Sequence, residues 1–276
     1  MSGARNGAWQ SGFTLVELMV ALAIFLLVTG AAFTLLSSSQ QRYQTESQVL
    51  TSFQEARLAL DQIVRDVNDA GYPPPTFIAS SFPANSASAP FAWSLGAGYP
   101  GSPCQIATGG GGTCTTATAG DTSPGDFDVI VETNPNPNPQ TNQNLQWIRY
   151  QLIGTTLYRG TAPKASGADP DASTATQLVP FVQNVINNSS SAQIAQYQVT
   201  YPYMFPAGTQ VPIFSYTCDT GTAPSPCPLA GTYNSSANIR DVIVTLIVSA
   251  PTPDATTGVP RVVQLSGRGR RINPNQ

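Results

Sequence analysis

The chain has 276 residues and a formal net charge of -3, with only 10% charged residues, one lysine, Lys164, and no histidine. Without histidine no Ser-His or Cys-His pair can be assembled, so an enzyme is not expected, and the charge balance argues against a general nucleic-acid binder. The 24 prolines and 23 glycines point to a loop-rich chain of one or two domains.

The first element is an apolar run over residues 13–36 that contains one carboxylate, Glu17. About 20 such residues, rising ~1.5 Å each, cross the hydrocarbon core of a bilayer, so one transmembrane helix is expected. An acidic side chain at the centre of such a helix costs about 2.5 to 3.5 kcal/mol, and less near an interface. Glu17 therefore needs a partner. A cut after Gly12 would create one, an α-amine at Phe13, one helical turn away. Two simpler readings stand beside this. In one, residues 1–32 are a secretory signal ending at Gly30-Ala31-Ala32, which Glu17 and a lone n-region charge, Arg5, weaken. In the other, the segment is an unprocessed anchor, and Glu17 goes unexplained.

The residues Gly12-Phe13-Thr14-Leu15-Val16-Glu17, followed by Leu18-Met19-Val20-Ala21-Leu22-Ala23-Ile24-Phe25, resemble the junction of type IV prepilins and of type II secretion pseudopilins. The resemblance implies that a prepilin peptidase cuts between Gly12 and Phe13 and methylates the Phe13 amine. It also implies that Glu17 pairs with the N-terminus of a neighbouring subunit during filament assembly. Removing residues 1–12 deletes Arg5 and no acid, which takes the formal charge from -3 to -4.

Over residues 40–70 the chain turns polar but keeps an apolar stripe at Val49, Phe53, Ala56, Leu60, Ile63 and Val67, the pattern of a one-sided helix. Arg42, Glu46, Glu55, Arg57, Asp61, Arg65, Asp66 and Asp69 are assigned to the opposite faces. No proline interrupts residues 13–72, so the two helical segments are read as continuous, stopping at Gly71 ahead of Pro73-Pro74-Pro75. The stripe is expected to pack under a globular domain of the same chain.

Residues 76–125 read as a long irregular connection, and residues 134–144, with Pro135, Pro137 and Pro139, as an exposed excursion. Strands are expected at 127–132 and 145–153, the latter turning through Gly154-Thr155-Thr156 into Leu157-Tyr158-Arg159 as a hairpin. Further strands are expected at 196–201, 241–248 and, more weakly, 261–265, ahead of a basic tail carrying Arg268, Arg270 and Arg271. The fold class is therefore α+β, a long N-terminal helix packed against an antiparallel β-sheet with long loops.

Cys104 and Cys114 bracket a glycine-rich segment, and Cys218 and Cys227 a proline-containing one. In the oxidising space implied by export, two local disulfides are the simplest of three connectivities. Zinc and other metals are not expected, because the spacing is not of the CxxC type and histidine is missing. Asp169-Pro170-Asp171 lacks a calcium-ligand ladder and reads as a surface turn, and Lys164 as a solvated charge. No cofactor is expected.

Within the pilin family the chain looks most like the larger minor pilins of the PilW type, on Leu60-Asp61-Gln62-Ile63-Val64-Arg65-Asp66 leading to Ala70-Gly71-Tyr72, the 148–159 hairpin and residues 242–248. The resemblance implies a leader at 1–12, a membrane and assembly helix at 13–36, its amphipathic continuation at 37–71, a connection at 72–125 and a globular sheet domain at 126–276. It implies a single-pass protein of the bacterial inner membrane with a periplasmic C-terminal domain, later carried in a filament. The implied partners are other minor and major pilins or pseudopilins, the prepilin peptidase, the inner-membrane assembly platform and, before assembly, membrane lipid, with no nucleic acid expected. Two further readings are a J-like pseudopilin of type II secretion and a tip module for adhesion or DNA capture.

Overall fold

The structure, a computed structural model, describes residues 12–72, 87, 89–93, 124–135, 145–165, 167–219, 224–227, 236–254 and 257–271. Two compact units divide the chain, residues 1–47 and 48–276. Helix α1 (Leu15–Asn68) contributes to both. It contains no proline and ends where the glycine signal stands. Gly71 has φ +79°, a conformation that strains any other residue, and a Cβ there would also press on Pro90 Cβ at 3.3 Å. The Gly71 N–H then donates to the Glu132 carbonyl at 2.8 Å, handing the chain from helix to sheet.

Among the described residues the second unit contains two antiparallel sheets where the sequence suggested one. The first has the order β1 (Phe91–Ala92), β2 (Asp128–Thr133), β3 (Gln146–Ile153), β4 (Thr156–Pro163), β5 (Val179–Val182). Its β3–β4 hairpin turns at Gly154, φ +61°, in the expected place. The second runs β7 (Pro224–Pro226), β6 (Phe214–Asp219), β8 (Ile239–Pro253), β9 (Pro260–Arg270). One core joins α1 to both sheets: Ala56, Leu60, Ile63 and Val67 pack with Val131, Ile148, Tyr150 and Leu152 of the first and Val242, Val244, Leu246 and Val248 of the second. Each large apolar side chain buried this way contributes about 1.5 to 3 kcal/mol. Val49 and Phe53, earlier in the stripe, are only half-buried.

Helix and β9 approach closely because β9 presents glycine at alternate positions. A Cβ on Gly269 would sit 2.6 Å from Val67 Cγ1, and one on Gly267 3.0 Å from Leu60 Cδ1. Both glycines let the strand lie against the Leu60–Val67 ridge without a side chain between them.

Several expectations are corrected. Residues 196–201 are not a strand: 196–200 are the second half of α3 (Ser191–Thr200) and Tyr201 is its C-cap. Period-two spacing of Tyr197, Val199 and Tyr201 lost to a capping box, in which Ser190 and Gln193 satisfy each other's backbone N–H groups. Asp169-Pro170-Asp171 is not a surface turn: Asp169 caps α2 (Pro170–Ala175), proline takes its first turn, and Asp171 is buried. Nor do Arg268 and Arg270 form a tail, since both belong to β9 and pair with Asp241, while Arg271 is buried with its Nη1 donating to the Ala237 carbonyl at 2.9 Å. Asp66 does not face water; it is 5% exposed. Parts of the 76–125 and 134–144 segments lie outside the described residues, but β1 falls within the first and buried Asn134 within the second.

Candidate assembly site

The junction begins with Gly12 and Phe13 in non-helical backbone, both exposed, and α1 starts at Leu15. Thr14 and Glu17 form a reciprocal pair at that start. Glu17 Oε2 accepts from the Thr14 N–H and the Thr14 hydroxyl, each at 2.9 Å, while Thr14 Oγ1 accepts from the Glu17 N–H at 3.2 Å. This is a capping box with Thr14 as N-cap and Glu17 at the third helical position, where a carboxylate also meets the positive end of the helix dipole. The carboxylate taken alone points to a partner outside the helix, whereas Thr14 already engages it within the first turn. The T-x-x-E spacing ahead of an apolar run was the available signal.

From Leu18 to Leu36 the helix is apolar on every side and uncovered within its own unit. Phe13 is 90% exposed, Leu15 76% and Phe33 67%, and no residue of the apolar window is buried. By length and composition this helix can cross a membrane. A helix apolar all round is stable only in lipid or among other apolar helices, which gives the segment two compatible environments.

Elsewhere, polar side chains are committed to holding the fold. Arg149, 1% exposed, sits between two buried carboxylates: its Nη2 donates to Asp128 Oδ2 at 2.6 Å and its Nη1 pairs with Asp171. Lys164 is not solvated but donates to the buried Glu132 Oε1 at 2.7 Å, with Trp147 Nε1 donating to the other oxygen at 2.9 Å. A buried charge of this kind persists only because it is paired. Cys218 and Cys227 are joined in a disulfide with Cα atoms 5.4 Å apart; Cys104 and Cys114 lie outside the described residues. Among the described residues, no group of three or more Cys, Asp or Glu side chains is gathered to hold a metal.

The chain matches the prokaryotic N-terminal methylation motif, found on type IV prepilins, over residues 10–33. No curated protein matches it in sequence. Among solved structures it is similar to a type IV-like pilin from Thermus thermophilus, at 10% identity and a TM-score of 0.40, over 81% of this chain and 96% of that one.

Proposed function

We propose that this protein is a minor subunit of a type IV pilus, of the PilW kind, that helps initiate or cap filament assembly. The observation that carries the reading is the methylation motif at residues 10–33 opening a helix whose first part, to Leu36, is apolar on all sides with one carboxylate, Glu17, at its start. In this reading a prepilin peptidase removes residues 1–12 by cutting between Gly12 and Phe13, and methylates the Phe13 amine. The helix holds the subunit in the inner membrane, and residues 126–276 fold in the periplasm. Glu17 then leaves its Thr14 bonds to pair with the amine of a neighbouring subunit in the filament. The chain acts by packing and not by catalysis, and the assembly platform and the other pilins are its partners.

Mass spectrometry of the mature N-terminus tests the first step: methylated Phe13 is expected, and a chain beginning at Phe33 would overturn the reading. Deleting the gene and scoring surface pili against secreted enzymes tests the second. Loss of pili is expected; loss of secretion with normal pili would assign the protein to a type II secretion pseudopilus instead.

A further inference from the structure

Four strand edges bound the two sheets, and three of them are blunted. β1 has two residues, β5 carries Pro180 within four, and β7 has proline at both ends of three. Short or proline-bearing edges cannot template another strand. β9 is different. It has 11 residues, its only proline is the first, and its pairing with β8 runs without a bulge from Asp241↔Arg270 to Ser249↔Val262.

Register decides which backbone groups of β9 face outward. The Arg271 N–H donates to the Arg240 carbonyl at 3.0 Å, so alternation along an antiparallel pair turns Gly269, Gly267, Leu265 and Val263 toward β8. Arg270, Arg268, Ser266, Gln264 and Val262 then point their N–H and C=O groups away from the sheet. The Arg270 N–H is taken by Asn68 Oδ1 at 2.8 Å, which confirms the direction and closes that end. Among the described residues nothing pairs with the outward groups of the other four, an open ladder about 20 Å long. The face beside this edge is basic. β9 carries no acid; Arg261 alternates to the opposite face and pairs with Asp254 at 2.9 Å, while Arg268 and Arg270, their side chains 60% and 59% exposed, share the single carboxylate of Asp241, which leaves that face one positive charge in excess.

We propose that the β9 edge is a strand-addition site for an extended segment of a different polypeptide carrying carboxylates at alternate positions. Main-chain bonds to residues 262–268 would supply affinity, and carboxylates facing Arg268 and Arg270 would supply selection. A second copy of β9 is a poor occupant, because every register sets arginine against a strand that has no acid. Asp241 holds Arg268 at 2.6 Å and can balance only one of the two guanidiniums, so the pair keeps one positive charge for an incoming carboxylate.

The test uses the full chain in detergent and two synthetic peptides, Thr-Val-Asp-Val-Asp-Val-Thr and its counterpart with lysine for aspartate. Amide exchange is read at Val262, Gln264, Ser266 and Arg268. The acidic peptide, at roughly ten times its Kd, should slow these four amides by about tenfold, leave Val263, Leu265 and Gly267 unchanged, and lose the effect on Ser266→Pro, which removes one outward donor without touching the β8 ladder. Arg268→Gln should weaken the acidic peptide with the edge intact. The proposal is overturned if the four amides are unaffected, if they are already as slow as Leu265 in the free chain, if the lysine peptide protects them equally, or if Ser266→Pro binds as before. Filament assembly does not enter the measurement, so its failure leaves the proposed function standing, and the reverse holds too.

Discussion

The Tyr150 hydroxyl donates to Asp66 Oδ2 at 2.6 Å, joining the centre of β3 to the last turns of α1 across 84 residues of chain. Arg159 Nη2 reaches the same oxygen at 3.1 Å, its Nε donates to the Tyr150 hydroxyl at 3.0 Å, and Gln62 Nε2 occupies Asp66 Oδ1 at 2.8 Å. Each member of this cluster is satisfied by another, which is the condition under which buried polar groups are tolerated. Asp66→Ala should destabilise by about 3 to 5 kcal/mol, because it strands the Arg159 charge beside a buried hydroxyl. Tyr150→Phe removes one bond to a charged group and should cost about 1.5 to 3 kcal/mol. Urea denaturation of the two variants gives the comparison, and equal losses would contradict the assignment of the larger role to the carboxylate.

The same cluster predicts an alkaline limit. Burial, followed by the Asp66 charge, pushes the Tyr150 hydroxyl well above the ordinary tyrosine range, and burial does the same to Tyr216, whose hydroxyl donates to the Gly125 carbonyl at 2.6 Å. A folded-state pKa above the unfolded one means that the folded chain holds its proton longer. Stability from these groups is complete below about pH 10, the unfolded tyrosine value, and falls as pH rises further. Unfolding midpoints between pH 8 and about pH 11 should therefore decline, less so in Tyr150→Phe and least in Tyr150→Phe with Tyr216→Phe. An unchanged slope in the double variant would refute the cause.

At the start of α1, Thr14→Ala removes the hydroxyl that both donates to and accepts from Glu17. Loss of such a cap costs about 1 kcal/mol, so amide exchange at Glu17, whose N–H the hydroxyl accepts, should speed up several-fold in detergent. Glu17→Ala should leave cleavage after Gly12 intact and impair incorporation into filaments. Normal incorporation of that variant would remove the charge-pairing role.

Gly269→Ala should be the most damaging single methyl on β9, since the new Cβ falls 2.6 Å from Val67 Cγ1 and 2.7 Å from Val67 Cβ. Overpacking of this kind costs about 1 to 3 kcal/mol. Pairing it with Val67→Ala should recover part of the loss in a double-mutant cycle of thermal stability. Simple additivity would show that the strain lies elsewhere.

Replacing Cys218 and Cys227 together by alanine opens a loop with a sequence separation of 9 residues. In the chain-entropy model such a loop is worth about 2.5 kcal/mol, and Cys218 is fully buried, so its lost packing adds to that. Reductant should lower the melting temperature of the original chain toward that of the variant. A reductant-insensitive chain would contradict this.

Much of this architecture is written locally. The T-x-x-E box at Thr14 and Glu17, the proline-free helix, the Gly71 stop, the Gly154 hairpin and the alternating Val242, Val244, Leu246 and Val248 each express a short-range rule within a few residues. Segment 127–132 was legible as a strand from its β-branched middle, and 145–153 and 241–248 from apolar side chains recurring every second residue, although burial runs continuously through β2 and most of β3. Where two local rules competed, as at Ser190-to-Thr200, the capping box outweighed the alternation.

The sequence by itself determined the membrane-length helix, its single carboxylate and the methylation motif, because length, hydropathy and a contiguous motif need no partner from elsewhere in the chain. Only the tertiary structure decided the fate of the isolated charges. Asp66, Asp171, Lys164 and Arg268 look alike as solvated residues in the sequence, yet each has its partner in another element, at Tyr150 and Arg159, Arg149, Glu132 and Asp241. A charge is paired when folding brings an opposite charge to it, and that meeting depends on strand order and register, which the order of residues along the chain does not display.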